Sequence, residues 1–250
     1  MCRMFALTGK FQEQFTGIFK ALQEVAVSDP LSEHLLGKRI SHDDGWGFVN
    51  YDGHDLNHFK TVEPVFKSKV PKISDGWLVV HARKAAKNEP FGPLNSHPFH
   101  RAVDKADLFL THNGWLDKDR MKTGFDGEYI ANHTDSELFL DVVSRGVGTS
   151  RNRLQRAIDS VYSQDALKSG FNLFLLSTER GSDKANIYAY TDALNYDDYH
   201  VLYFVRGDEW AGIFSSSILE SKHFPEFNEK HKLERKTVFE LLNQTLVTAT

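Results

Sequence analysis

Two groups of short apolar runs, separated by two helix-patterned segments, set the first limit on how this chain can fold. The earlier group covers residues 4–8, 45–51, 56–59, 77–80 and 108–110, and the later one residues 171–177, 185–190, 200–205, 211–215 and 237–247. Runs of this length, bounded by glycine and small polar residues, read as strands. Asp52-Gly53, Gly181-Ser182-Asp183 and Gly207-Asp208 separate several of them at hairpin spacing, which makes those neighbours antiparallel. Strand and helix do not alternate as a doubly wound parallel sheet requires. Thr8-Gly9-Lys10-Phe11 also lacks the glycine spacing of a dinucleotide or phosphate loop. What remains is α+β with antiparallel sheets.

Three segments carry helical spacing. Phe11, Phe15, Ile18, Phe19, Leu22, Val25 and Ala26 share one face of a helix that stops near Asp29-Pro30. Thr134-Asp135-Ser136-Glu137 opens a second helix ending near Gly146, and a third spans residues 151–168 with Leu154, Ile158, Val161 and Tyr162 inside. Thr-x-x-Glu is a capping box, and an acid in a first turn suits the helix dipole, so Asp135 has a structural reason to be there. The segment 85–101 carries Pro90, Pro93 and Pro98 and reads as irregular. No repeat, low-complexity tract or long linker divides the chain, and one domain over residues 1–250 is expected.

Composition narrows the function classes. With 30 basic against 34 acidic residues and a formal charge of −4, the chain has no electrostatic footprint for nucleic acid or a membrane surface. A single cysteine excludes an internal disulfide framework and fits a reducing compartment. The amino terminus has no basic segment followed by an apolar signal-peptide core, and no stretch approaches a membrane span. A cytoplasmic enzyme or binding protein is the expectation.

That single cysteine is Cys2. Removal of Met1, which a residue as small as cysteine permits, would leave a thiol and a free α-amine on one residue. Their ordinary pKa values, about 8.5 and about 7.7–8, match base to nucleophile near neutral pH. Most lone cysteines are instead small buried hydrophobes, and Cys2 alone decides nothing. Twelve histidines, eight of them between His34 and His112, keep a metal centre open as well. The runs at 77–80 and 108–110 lead into His81-Ala82-Arg83-Lys84 and Thr111-His112-Asn113-Gly114, and strand ends are where scaffolds present chemistry.

Cys2, Asp44-Gly45-Trp46-Gly47, His81-Ala82-Arg83, Asn95-Ser96-His97-Pro98, Thr111-His112-Asn113-Gly114 and Thr134-Asp135-Ser136-Glu137, in that order, resemble the class II glutamine amidotransferases, which are amino-terminal-nucleophile hydrolases. The Asp-Gly-Trp-Gly form is most similar to stand-alone, single-domain members. The resemblance implies a four-layer αββα sandwich of two antiparallel sheets flanked by helices. It also implies Cys2 as nucleophile on the side-chain amide of glutamine or a related γ-glutamyl amide, with Asn113 and Gly114 as the oxyanion hole. Arg83 would hold the substrate α-carboxylate and Asp135 its α-ammonium. His97, His81 and Asp44 would be structural residues of the cleft, with His112 buried beside them. No cofactor or metal is implied. The partner candidates are the small-molecule substrate, a separate ammonia-accepting synthetase subunit and a second copy of the chain in a homodimer. Two positions depart from the family pattern: Lys87 stands where many members have histidine, and Lys84 where long synthases often have tryptophan.

Three alternatives stand beside this reading. One is a γ-glutamyl hydrolase acting on glutathione-like thiol peptides. Another is a zinc or iron hydrolase drawing on His42, Asp44, His81, His97 and His112, although no two of them have a helical i, i+4 spacing. The last is a catalytically silent binding or regulatory subunit.

Overall fold

The first apolar run becomes a strand with a neighbour on each side. The computed structural model describes residues 2–86, 89–121, 124–242 and 244–248. Within them β1 (Arg3–Gly9) pairs with β4 (Gly76–Ala82) on one edge and β10 (Trp210–Ser215) on the other. β2 (Trp46–Tyr51) and β3 (Leu56–Thr61) extend one end of this sheet, and β9 (Leu202–Arg206) and β11 (Glu229–Lys232) the other, in the order β11-β9-β10-β1-β4-β2-β3. The second sheet is built from β5 (Phe99–Val103), β6 (Ala106–Leu116), β7 (Leu167–Glu179), β8 (Ala185–Tyr190), β12 (Val238–Leu242) and β13 (Thr245–Thr248). Its order is β13-β12-β8-β7-β6-β5, and the pairings in both sheets are antiparallel.

Alternation along β1 explains the layering. Met4 and Ala6 point one way, into a core shared with Val79, Phe174, Ile187 and Ile213 of both sheets. Phe5 and Leu7 point the other way, where α1 (Gln12–Val27) packs Phe15, Ile18, Phe19 and Leu22 against them. On the far side α4 (Asp135–Arg145) and α5 (Ser150–Ser163) lay Leu138, Phe139, Leu154 and Ile158 over Leu108, Leu110 and Leu173. Two antiparallel sheets face each other with helices outside, the expected four-layer αββα sandwich. Each of these large buried side chains contributes roughly 1.5–3 kcal/mol.

Several boundaries differ from expectation. The third helix stops at Ser163 rather than residue 168, because Asp165 turns the chain at φ 50 and Leu167 already belongs to β7. The segment 85–101 is not irregular throughout: Phe99 starts the edge strand β5, alternating buried Phe99 with exposed His100. The strand begun by the run 108–110 does not end there, since β6 continues through Asn113 and Gly114 to Leu116 while pairing with β7. The run 237–247 is two strands, β12 and β13, paired as a hairpin. His200 precedes β9 rather than opening it. Two short helices, α2 (Pro30–Leu36) and α3 (Gly127–Asn132), and β11 were not anticipated. No helix of the described residues is long and apolar enough to cross a membrane.

Candidate active site

The start of β1 and the end of β4 come together because Arg3 pairs with Ala82 in register. Cys2 therefore lies beside the residues that leave β4. Its Sγ accepts the Lys84 N–H at 3.3 Å and reaches the Lys84 carbonyl at 3.6 Å. From the other sheet, β6 brings Asn113 to the same point, where the Cys2 backbone N–H donates to Asn113 Oδ1 at 2.8 Å. Since that nitrogen can only donate, the amide of Asn113 is oriented by it. Nδ2 is left buried, with no acceptor among the described residues.

Arg83 follows β4 directly and is 4% exposed. One arm of its fork donates to the Pro90 carbonyl at 2.9 Å, while Nη1 is buried without a hydrogen-bond partner among the described residues. Asp135 is the first residue of α4; Thr134 caps that helix by accepting the Glu137 N–H. The capping box is only half formed, because Glu137 turns away to pair with Arg101 at 3.1 Å. The Asp135 carboxylate accepts the Leu116 N–H at 2.8 Å and the Ser136 N–H at 2.7 Å, which fixes it at the cleft wall. Cys2, Arg83, Lys84, His97, His112, Gly114 and Asp135 are among the residues lining one small cleft of about 50 Å³. A larger groove of about 1110 Å³, lined by Trp77, Arg153 and Tyr188 among others, contains none of them.

The histidines around the cleft are neutral at ordinary pH. Burial depresses His81 to about 3, holds His97 well below its usual value and lowers His112. His81 bonds the His112 carbonyl at 3.2 Å through Nε2, its ring lies 4.1 Å from that of His97, and His112 Nδ1 meets Ser136 Oγ at 2.9 Å. Asp44 does not line the cleft. It accepts the Ala85 N–H at 2.9 Å, and its own N–H donates to the Arg83 carbonyl at 3.1 Å, so it fastens the chain that carries Arg83. Lys84, one of the departures, pairs through its ammonium with Asp43 at 2.8 Å and Asp44 at 3.3 Å. The other, Lys87, and Met1 lie outside the described residues. Among the described residues no three His, Cys, Asp or Glu side chains gather to hold a metal ion.

A family model described as glutamine amidotransferases class-II matches residues 19–203, well over half the chain. This chain belongs to the class II glutamine amidotransferases. The matched span includes Arg83, Asn113, Gly114 and Asp135 but not Cys2. YafJ of Escherichia coli (strain K12), itself named only as a candidate glutamine amidotransferase, is 33% identical over 81 residues, which are 30% of this chain and 31% of YafJ. Among solved structures, the glutamine phosphoribosylpyrophosphate amidotransferase of Bacillus subtilis covers 99% of the chain at 14% identity with a TM-score of 0.66. The chain spans 49% of that enzyme. A protein of Pseudomonas aeruginosa PA01, titled a glutamine amidotransferase by prediction, covers 100% of the chain and 96% of its own length at 15% identity, with a TM-score of 0.51. At these identities the two structures establish the amino-terminal-nucleophile fold alone.

The cleft also holds residues that sequence reasoning missed. Glu89 and Trp115 line it, and neither stands in a recognised motif. Gly114 is glycine for a reason visible only in three dimensions: a Cβ there would fall 1.7 Å from the Gly170 carbonyl oxygen of β7. Gly170 is in turn pressed by the His200 ring, whose Nδ1 would stand 2.2 Å from a Cβ. Both glycines lie beyond the apolar runs and fall inside strands only because β6 and β7 run longer than those runs; a glycine within a strand marks close approach of another group.

Proposed function

We propose that the chain, as one amidotransferase domain over residues 1–250, hydrolyses the side-chain amide of glutamine or a related γ-glutamyl amide in the cytoplasm. The observation that carries this reading is the bond from Cys2 N–H to Asn113 Oδ1, with the thiol accepting the Lys84 N–H and two donors, Asn113 Nδ2 and Arg83 Nη1, that have no partner among the described residues. Buried donors without acceptors are rare in finished structures, and their presence beside a nucleophile marks where a ligand supplies the acceptor.

Removal of Met1 turns the Cys2 nitrogen into an α-amine that keeps its bond to Asn113 and gains a lone pair. The amine takes the thiol proton and Sγ attacks the amide carbon. The resulting oxyanion accepts from Asn113 Nδ2 and the Gly114 N–H, which act where charge develops. The C–N bond breaks, the α-ammonium returns its proton to the leaving nitrogen, and ammonia departs. A γ-glutamyl thioester remains on Cys2. Water, deprotonated by the same amine, adds to it; the C–S bond breaks, the α-ammonium returns its proton to the Cys2 sulfur, and glutamate leaves. Arg83 offers its free arm to the substrate α-carboxylate and Asp135 its carboxylate to the α-ammonium, so that both ends of the amino acid are held and the amide is oriented over the thiol. The ammonia goes to water or to a separate acceptor subunit.

Intact mass of protein made in its natural host, followed by labelling with an electrophilic glutamine analogue, tests this. Loss of Met1, a label on Cys2 and ammonia release that disappears in Cys2→Ala are expected. Ammonia release that persists in Cys2→Ala sinks the proposal. Running glutamine against γ-glutamyl thiol peptides assigns the preferred leaving group.

A further inference from the structure

Two charged side chains of the cleft, Lys84 and Glu89, take no part in the reaction above, and the Lys84 ammonium is already paired with Asp43 and Asp44. Glu89 comes from the segment between β4 and β5, and its side chain is 16% exposed. Lys118, which also donates to the His133 carbonyl at 3.1 Å, stands 3.5 Å from Glu89 Oε1. Oε2 is buried and has no partner among the described residues. Asp135 lines the same cleft, so two carboxylates face one small space. Burial first, and then the charge of Asp135, push the Glu89 carboxyl up, with Lys118 and Arg83 offsetting only part of this. Such an arrangement is relieved when a cation enters between the two acids.

Arg83 shows which cation the site awaits. It shares the cleft, yet no ion pair joins it to Glu89: one arm goes to Pro90, and Nη1 is buried with no hydrogen-bond partner among the described residues. The cleft thus keeps a free guanidinium donor for an anion and a free carboxylate oxygen for a cation, the charge pattern of a zwitterionic amino acid. Lys118 holds one oxygen of Glu89 and leaves the other available.

We propose that Glu89 is a second ligand for the substrate α-ammonium, shared with Asp135, so that the site selects γ-glutamyl compounds with a free α-amine over des-amino and N-acyl analogues. The inference rests on reading the cleft as the amidohydrolase site. Glu89 makes the amine a requirement for binding and has no part in the bond-breaking steps.

Processed enzyme is assayed with glutamine and with 4-carbamoylbutanoate, its des-amino analogue, the latter as substrate or as competitive inhibitor. Glu89→Gln is expected to raise KM for glutamine about tenfold or more, the weight of one charge-assisted hydrogen bond. Its kcat should stay within about twofold and its handling of 4-carbamoylbutanoate should not change. Glu89→Asp should recover part of the glutamine KM. Equal losses on both compounds would mean that Glu89 only shapes the loop, and an unchanged or lower KM would mean that it obstructs the site; either result overturns the inference. Wild-type enzyme that neither releases ammonia nor labels at Cys2 would instead fail the underlying reading, and the inference with it.

Discussion

Two buried polar clusters flank the start of β1. One is the cleft of Cys2, Arg83, Asn113 and Asp135; the other, formed by Arg3, Asp29, His42 and Tyr199, lies on the opposite side and is wholly inaccessible. In the second cluster Asp29 Oδ2 accepts from Arg3 Nε at 2.5 Å, from the Tyr199 hydroxyl at 3.0 Å and from His42 at 3.1 Å, while Oδ1 accepts the Leu31 N–H at 3.1 Å. Arg3 also donates to the Tyr199 carbonyl and lies 3.8 Å from its ring, leaving only Nη2 over. Burial alone would raise the Asp29 carboxyl, but His42 and Arg3 outweigh it and hold it well below the usual range. The cleft, by contrast, leaves Asn113 Nδ2, Arg83 Nη1 and Glu89 Oε2 without hydrogen-bond partners among the described residues. Both clusters are buried and polar, so burial does not separate them. Satisfaction does: the paired cluster anchors the strand that presents Cys2, and the unpaired one is left for a ligand to complete.

The comparison breaks most visibly at Asp29. Asp29→Ala leaves the Arg3 guanidinium buried without its counter-ion and should cost about 3–5 kcal/mol of folding free energy. Urea unfolding reads this, while the fraction that folds should keep its KM for glutamine. Asn113→Ala is expected to behave in the opposite manner. It should lower kcat by about 10²–10³, yet reduce stability by only about 1 kcal/mol, the weight of its one bond to Cys2. If Asn113→Ala proves as destabilising as Asp29→Ala, or Asp29→Ala acts mainly on turnover, the division between anchor and site is wrong.

Much of the anchor's strand and of the cleft could be read along the chain. Cys2, Arg83 and Asn113 each adjoin or continue an apolar run that became β1, β4 or β6, so finding the runs located the residues. The antiparallel α+β class followed from the same runs, whereas the four-layer sandwich came only with the family resemblance; the split of Phe5 and Leu7 from Met4 and Ala6 into two cores shows in the structure. What stayed hidden depends on contacts between distant segments. Gly170 and His200 matter through their pressure on Gly114, and Glu89 through its closeness to Asp135, relations that no local spacing encodes. β5 was obscured because three prolines precede it and only alternate residues are buried. The third helix ran too long on paper because Ala166 and Leu167 are apolar, and periodicity cannot see that Asp165 takes a left-handed turn.

Histidine titration gives the smallest of the expected effects and touches both clusters. Burial depresses His42 to about 4 in the paired cluster, despite the help of Asp29, and His81 to about 3 beside the cleft. Unfolded, each ring has an ordinary pKa of about 6.5. Between that value and the folded one the unfolded chain binds more protons, so stability is complete above about pH 6.5 and falls as the pH drops towards 3–4. Each ring contributes a slope of up to about 1.4 kcal/mol per pH unit. Urea unfolding at pH 7, 6 and 5 should therefore show a steady loss. His81→Gln should flatten that slope by one ring's share, narrowing the gap in stability between pH 7 and pH 5 by about 2 kcal/mol. A slope that is absent in the wild type, or that reverses, would mean a ring is already protonated in the fold. For His42 that would add a second cation against Arg3, a cluster held by charge rather than by hydrogen-bond pairing, and the contrast with the cleft would have to be redrawn.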